Sequence, residues 1–316
     1  MFALRGIAVS FSVFVMVYCA LSVAVSLCWR TLRLRSEKYP VRRTADLLFG
    51  LRMFPLITAV VITAAFTVPS FLLLEPRAIH EPLSDIPLLL GTCGAVLSLV
   101  GLWNAGLAMR GASRTISTWT REAQSVESCA PVPVLRISRA VPAMTAAGII
   151  HPRVLVSSVA EFLLTTNELQ TALNHEIAHV RRRDNLKKLM LRFVAFPGMA
   201  GLESAWLETT EMAADDAAVS NAGEALDLAA ALLKLSRLTP VDLAVELTTA
   251  LVHSPYSVMN ARVERLIAWS DERLVPLQRF SPWYGFGALL AMLAVFAVTY
   301  SQLLVRVHSA TEWLVR

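Results

Sequence analysis

The sequence predicts a mainly α membrane protein: four transmembrane helices, with an α+β domain inserted between the third and the fourth. Three observations predict it. Of 316 residues, 55% are hydrophobic, above the roughly 45–50% of ordinary soluble domains. The excess falls in four blocks, residues 7–29, 53–74, 86–109 and 283–305, and none of them contains Asp, Glu, Lys or Arg. Between the third and fourth blocks, residues 110–282 are mixed in composition and long enough for one compact domain.

Each block is long enough to cross a hydrocarbon core of about 30 Å as a helix. The first reads as a retained span. Its apolar stretch is longer than that of a cleaved leader, and no cleavage site follows it. Residues 1–109 therefore form a membrane domain with spans at about 7–29, 53–74 and 86–109. Orientation follows from the basic residues. The first loop carries Arg30, Arg33, Arg35, Lys38, Arg42, Arg43 and Arg52, whereas the second has only Arg77 against Glu75, Glu81 and Asp85. The inserted segment is basic again and opens with Arg110, Arg114 and Arg121. The first loop and the inserted domain are thus expected in the cytoplasm. The N-terminus, the second loop and the tail 306–316 are expected outside, which places the chain in the cell (inner) membrane as a multi-pass protein.

The formal net charge of +5 and pI of about 9.3 call for no nucleic acid, because basic residues beside anionic lipid account for them. Cys19, Cys28 and Cys93 fall in spans and Cys129 stands alone. With no Cys-x-x-Cys pair, neither a disulfide framework nor a thiolate metal site is expected.

In the inserted domain, "PVLRIS" (133–138) and "RVLVSS" (153–158) read as strands, with turns marked by Pro142, Gly148 and Pro152. A helix is predicted from about Thr166, because Thr165 and Glu168 form a capping box. Leu169, Ala172, Leu173 and Ile177 supply its buried side. Residues 186–202 read as an amphipathic helix lying against the membrane, or as a core helix capped at Pro197 and Gly198. Further helices are predicted over 204–223, stopped by Gly223, over 225–238 and over 257–270.

The chemistry sits in "NHEIAHVRRRDN" (174–185). His175 and His179 are four apart and so share one helical face. Zn²⁺ in a hydrolytic site takes three protein ligands and a water, and Glu176 stands beside the first histidine as a general base. In "WLETTEMAADDAAV" (206–219), Glu211 and Asp215 share a face of the second helix. Glu211 fits as third ligand, with Glu208 and Asp215 as competitors. Asp215 also fits as an acceptor that holds a ligand imidazole. Without Glu176 the histidine pair would read as solvated, and the acidic residues alone as an exposed face.

"HEIAHVRRRDN" followed by "ETTEMAADDAAV", behind three spans and before a fourth, resembles the BlaR/MecR-type membrane zinc metallopeptidases. "GIIHPRVLVSS" (148–158) is similar to the strand ahead of their metal helix. The resemblance implies a zincin-like fold, zinc on His175, His179 and Glu211, Glu176 as base, Asp215 behind the metal shell, and a structural role for Asp184. "HSPYSVMNARVERL" (253–266) resembles a stretch near the end of related catalytic domains. It suggests His253, or Tyr256, as donor to the oxyanion. The chain departs from the beta-lactam receptors after Val305, where "RVHSATEWLVR" leaves no room for an outer penicillin-binding sensor, and in Ala214, where those proteins often have Cys.

The function expected is a membrane-bound zinc endopeptidase cutting a protein substrate, such as a repressor, at the cytoplasmic face. An intramembrane protease and a signalling or scaffold protein with a relic site are the alternatives. "TTNEL" before the metal helix and "RRRD" after it argue against the first, and an intact Glu176 against the second. Gly91, Gly94, Gly101, Gly285 and Gly287 in the spans permit close helix contact, so a homo-oligomer or a sensor partner is expected to bring the signal.

Overall fold

The computed structural model describes residues 2–36, 39–76, 84–121, 123–126, 131–138, 143–194, 198–237, 249–250, 256–269 and 298–312. Three helical stretches are long and apolar enough to cross a membrane: Phe2–Leu34, Val41–Leu74 and Asp85–Thr120. They outrun the uncharged blocks because Arg, Leu and Ala continue a helix readily past its apolar part. The first is α1 (Phe2–Ser36). The second joins α2 (Val41–Ile62), a π-helical turn (Thr63–Thr67) and α3 (Val68–Leu74). The third is α4 (Asp85–Thr120). Residues 283–297 of the fourth predicted span lie outside the described residues. Residues 298–312 are helical, so the helix runs through the boundary set at Val305. Of the basic residues assigned to the first loop, Arg30, Arg33 and Arg35 lie inside α1 and Arg42, Arg43 and Arg52 inside α2, where Arg52 is only 2% exposed.

The chain forms two units. The first comprises Met1–Trp29, Leu51–Val100 and Pro276–Arg316. Here Gly91 and Gly94 are where α4 meets α1: a Cβ at these positions would lie 2.8 Å from the Ala8 carbonyl oxygen and 2.6 Å from that of Phe11. The π turn breaks the regular ladder of the second stretch. Tyr300 donates its hydroxyl to the Ala65 carbonyl there at 2.7 Å.

The second unit comprises Arg30–Gly50 and Gly101–Val275. Its sheet has the order β1-β2-β4-β3-β5, from Gln124–Val126, Val134–Ile137, Met144–Ala147, Arg153–Ser157 and Thr249–Ala250 in chain order. β2 and β4 pair in parallel; the other pairs are antiparallel. β2 and β4 fall on the two predicted strands. β3, "MTAA", has no β-branched run to announce it, yet all four of its residues are buried.

Helix α5 (Ser158–Leu163) leads into α6 (Thr166–Arg182). The capping box forms: the Thr165 side chain accepts from Glu168 N–H, and the Glu168 side chain accepts from Thr165 N–H. Glu168 also receives Lys234 Nζ at 2.8 and 2.7 Å. Burial pushes the Glu168 carboxyl up, but Lys234 and the Thr165 N–H outweigh this and lower it. A depressed carboxyl stabilises the fold above the ordinary glutamate range, and that contribution is lost as pH falls through its folded value. Ala172 and Ile177 of α6 join Met144, Val154 and Val156 of the sheet in the main core.

α6 ends at Arg183, which adopts a left-handed conformation at φ 54°, and α7 (Asp184–Phe193) starts at the next residue. Leu189 of α7 packs with Ala108, Ala112 and Ile116 of α4, and α7 ends at Phe193, short of the helix predicted over 186–202. α8 spans Ala200–Ala218. It ends before Gly223, contrary to the predicted stop. Asn221 accepts from Glu224 N–H at 2.9 Å and caps a new helix, α9 (Ala222–Ser236), which takes Gly223 into its first turn. α10 spans Tyr256–Ile267. Leu228, Leu232 and Leu235 of α9 and Val263 and Leu266 of α10 complete the core.

Candidate metal centre

Helix α6 carries His175 and His179 one turn apart, and both are buried. Their Nε2 atoms face each other at 3.1 Å. Glu211 arrives from α8 with one carboxylate oxygen 3.6 Å from His175 Nε2 and the other 3.6 Å from His179 Nε2. The far side of each ring is held by a carboxylate. His179 Nδ1 lies 2.7 Å from Asp184 Oδ2, and His175 Nδ1 lies 2.9 Å from Asp215 Oδ1. Each Nε2 is thereby turned inward toward Glu211. A tetrahedral ion with bonds of about 2.0–2.2 Å separates its ligand atoms by roughly 3.4 Å. The separations here match, and the three side chains form a group fit to hold a metal ion.

Glu176, fully buried, accepts the Ala146 N–H of β3 at 2.6 Å through Oε2. Ala146 also accepts Asn185 Nδ2 at 3.0 Å through its carbonyl. One residue of an inconspicuous strand thus fixes both the candidate base and the start of α7.

Arg262 of α10 is the residue that sequence reasoning missed. It is completely buried. Nε and Nη2 donate to the two oxygens of Asp215 at 2.8 and 2.7 Å, and Nη1 lies 3.1 Å from Glu211. One guanidinium therefore sets both the third candidate ligand and the carboxylate behind His175, a geometry that Lys cannot reproduce. The signal was present. Met259, Val263 and Leu266 are buried, and Arg262 occupies the remaining slot of that i, i+3, i+4, i+7 stripe.

The electrostatics follow from burial. Desolvation would lower the His179 pKa, but the charges of Glu211 and Asp184 push it up to about 10. His175 is raised likewise, mainly by Asp215 and Glu211 against burial. Burial would raise the Asp215 carboxyl, yet Arg262 holds it down at about 2. Glu211 is held well below the carboxylate range by His179 and Arg262, again against burial. Glu176 goes the other way: desolvation raises it, and the histidines only partly oppose this. Without a metal His179 holds its proton at neutral pH, and a metal must displace it.

Residues 145–242 match Peptidase family M48. The matched stretch begins in β3 and runs through α6, α7, α8 and α9, so it contains all three grouped side chains. It implies a metallopeptidase, and the three apolar helices mark a membrane protein. No curated protein matches the chain.

Of the competitors for the third position, Glu208 pairs with Arg33 at 3.4 Å, and Asp215 lies on the outer nitrogen of His175. His253 lies outside the described residues, and nothing is assigned to the Tyr256 side chain.

Proposed function

We propose that this protein is a membrane-bound zinc endopeptidase that cuts a protein substrate at the cytoplasmic face. The observation that carries the proposal is the convergence of His175 Nε2, His179 Nε2 and the Glu211 carboxylate, each already oriented by a buried partner. His175, His179 and Glu211 would hold the ion. Bound there, zinc supplies Lewis acidity toward water and toward a peptide carbonyl. Glu176, oriented by Ala146 N–H, takes the proton of the attacking water and passes it to the leaving amine. Its raised pKa suits both halves of that task. Asp184 and Asp215 keep the ring protons on Nδ1, so that Nε2 remains the donor atom. Arg262 holds Glu211 in place and keeps it ionised.

The likeness to BlaR/MecR-type proteins, carried by the two quoted motifs, points to a regulator such as a repressor as substrate. A partner protein or self-association would bring the signal. The excess of Lys and Arg in the first loop and next to the third span supports a cytoplasmic active site.

One experiment tests both enzyme and side. A soluble protein substrate added to sealed vesicles of the full chain should be cut when the vesicles are inverted and left intact when they are right-side-out. A membrane-permeant chelator should stop the cutting, and zinc should restore it. Cutting by right-side-out vesicles alone would reverse the topology. Cutting that survives the chelator would remove the metal from the mechanism.

A further inference from the structure

The metal helix ends in an unusual corner. Arg183 is the one non-glycine residue with positive φ among the described residues, a conformation that L-residues adopt at a cost. On one side of it stands His179, on the other Asp184, which must meet His179 Nδ1. Asp184 is fully buried, and two cations compete for it. Arg182 Nε lies 3.6 Å and Lys187 Nζ 3.8 Å from its Oδ1. A third group shares these cations. Asp46, near the start of α2, places Oδ1 3.2 Å from Lys187 Nζ and 3.8 Å from Arg182 Nη2. The docking of this stretch has further contacts. Lys187 Nζ stands 5.6 Å from the centroid of the Phe49 ring, and Phe49 packs on Trp206 of α8 at 5.9 Å. Asp46, Phe49 and the corner belong to the same unit.

We propose that Asp46 is a positioning residue for the metal centre: by sharing Arg182 and Lys187 across the Arg183 corner, it leaves Asp184 to hold His179. The Arg182 side chain is only 8% exposed and cannot turn to water for compensation. When Asp46 is neutral, both cations have Asp184 as their remaining acidic partner among the described contacts. Asp184 then divides its charge between them and the imidazole. His179 loses part of the acceptor that fixes its ring, and its Nε2 becomes a poorer ligand. Asp46 itself is half exposed, with 53% of its side chain accessible, so the effect is smaller than that of an immediate partner. The inference also gives the segment 30–50 a role in the site, because Asp46 stands on the same helix as the apolar stretch that follows it.

The inference rests on the reading of His179 as a metal ligand. The test uses the full chain in detergent, loaded with zinc, and follows zinc loss to an excess of chelator. Asp46→Asn should lose zinc about fivefold faster than wild type, below the roughly 10- to 100-fold seen when the group that holds a ligand imidazole is itself removed. Asp46→Glu should behave as wild type. Asp46→Asn/Lys187→Met, which also removes a competing cation, should return most of the way to the wild-type rate. Equal rates in wild type and Asp46→Asn would overturn the proposal. So would a double variant as fast as Asp46→Asn, since Asp46 would then act on the fold and not through charge. If Asp46→Asn does not fold, wild type carries the same test. Salt at about 1 M screens an exposed pair and should speed zinc loss, and a rate indifferent to salt would overturn the proposal. Wild type that never holds zinc would instead refute the metallopeptidase reading.

Discussion

Glu176→Gln should keep its zinc and lose hydrolysis by about 10²- to 10⁴-fold, the range of a general acid–base contribution. The substitution is nearly isosteric and leaves an oxygen to accept the Ala146 N–H, which lies 2.6 Å from the carboxylate in the wild type. The backbone of β3 and the helix register therefore stay put. What disappears is a group able to take a proton. Zinc content and turnover, measured on the same preparation, separate this effect from misfolding. Full activity in Glu176→Gln would end its assignment as the base.

The second large effect concerns stability. Arg262→Met should destabilise the unit that holds the candidate metal centre by about 3–5 kcal/mol, because it leaves buried charges without their partner. Asp215 loses two donated hydrogen bonds, at 2.8 and 2.7 Å, and Glu211 loses the guanidinium 3.1 Å away. Met fills similar volume, so the loss reports charge and not a cavity. Arg262→Lys should recover only part, since an ammonium cannot bridge both carboxylates as a fork does. Denaturant unfolding of the metal-free protein reads the effect directly. A variant as stable as wild type would show that Asp215 and Glu211 do not depend on this arginine.

Much of the fold was legible in local patterns. Charge-free blocks marked the three long apolar helices, and Thr165 with Glu168 marked the start of α6 because a capping box is a two-residue signal with one physical meaning. The grouping of His175 and His179 followed from helical spacing alone. Glu211 could be nominated, but its competitors Glu208 and Asp215 share its helix, and only tertiary packing separates them: Glu208 turns to Arg33, and Asp215 lies behind His175. The failures have physical causes too. β3 is written in Met, Thr and Ala and owes its strand to pairing on both sides. Gly223 looked like a helix stop, yet Asn221 with Glu224 starts a helix across it. Arg262 sat in an apolar stripe, and the two carboxylates it serves lie some fifty residues earlier in the chain. Asp46 gave no signal at all, because the charges it meets are brought to it only by folding.

The proposed metal centre is three side chains holding one ion. Its most direct test is the zinc content of the purified full chain, set beside that of Glu211→Ala and of His179→Ala. Wild type should carry about one zinc per chain, as a single site of three protein ligands and a water implies. Each variant, left with two ligands, should lose most of it. A wild type without zinc after reconstitution, or a Glu211→Ala protein that keeps one equivalent, would contradict the assignment of this metal centre.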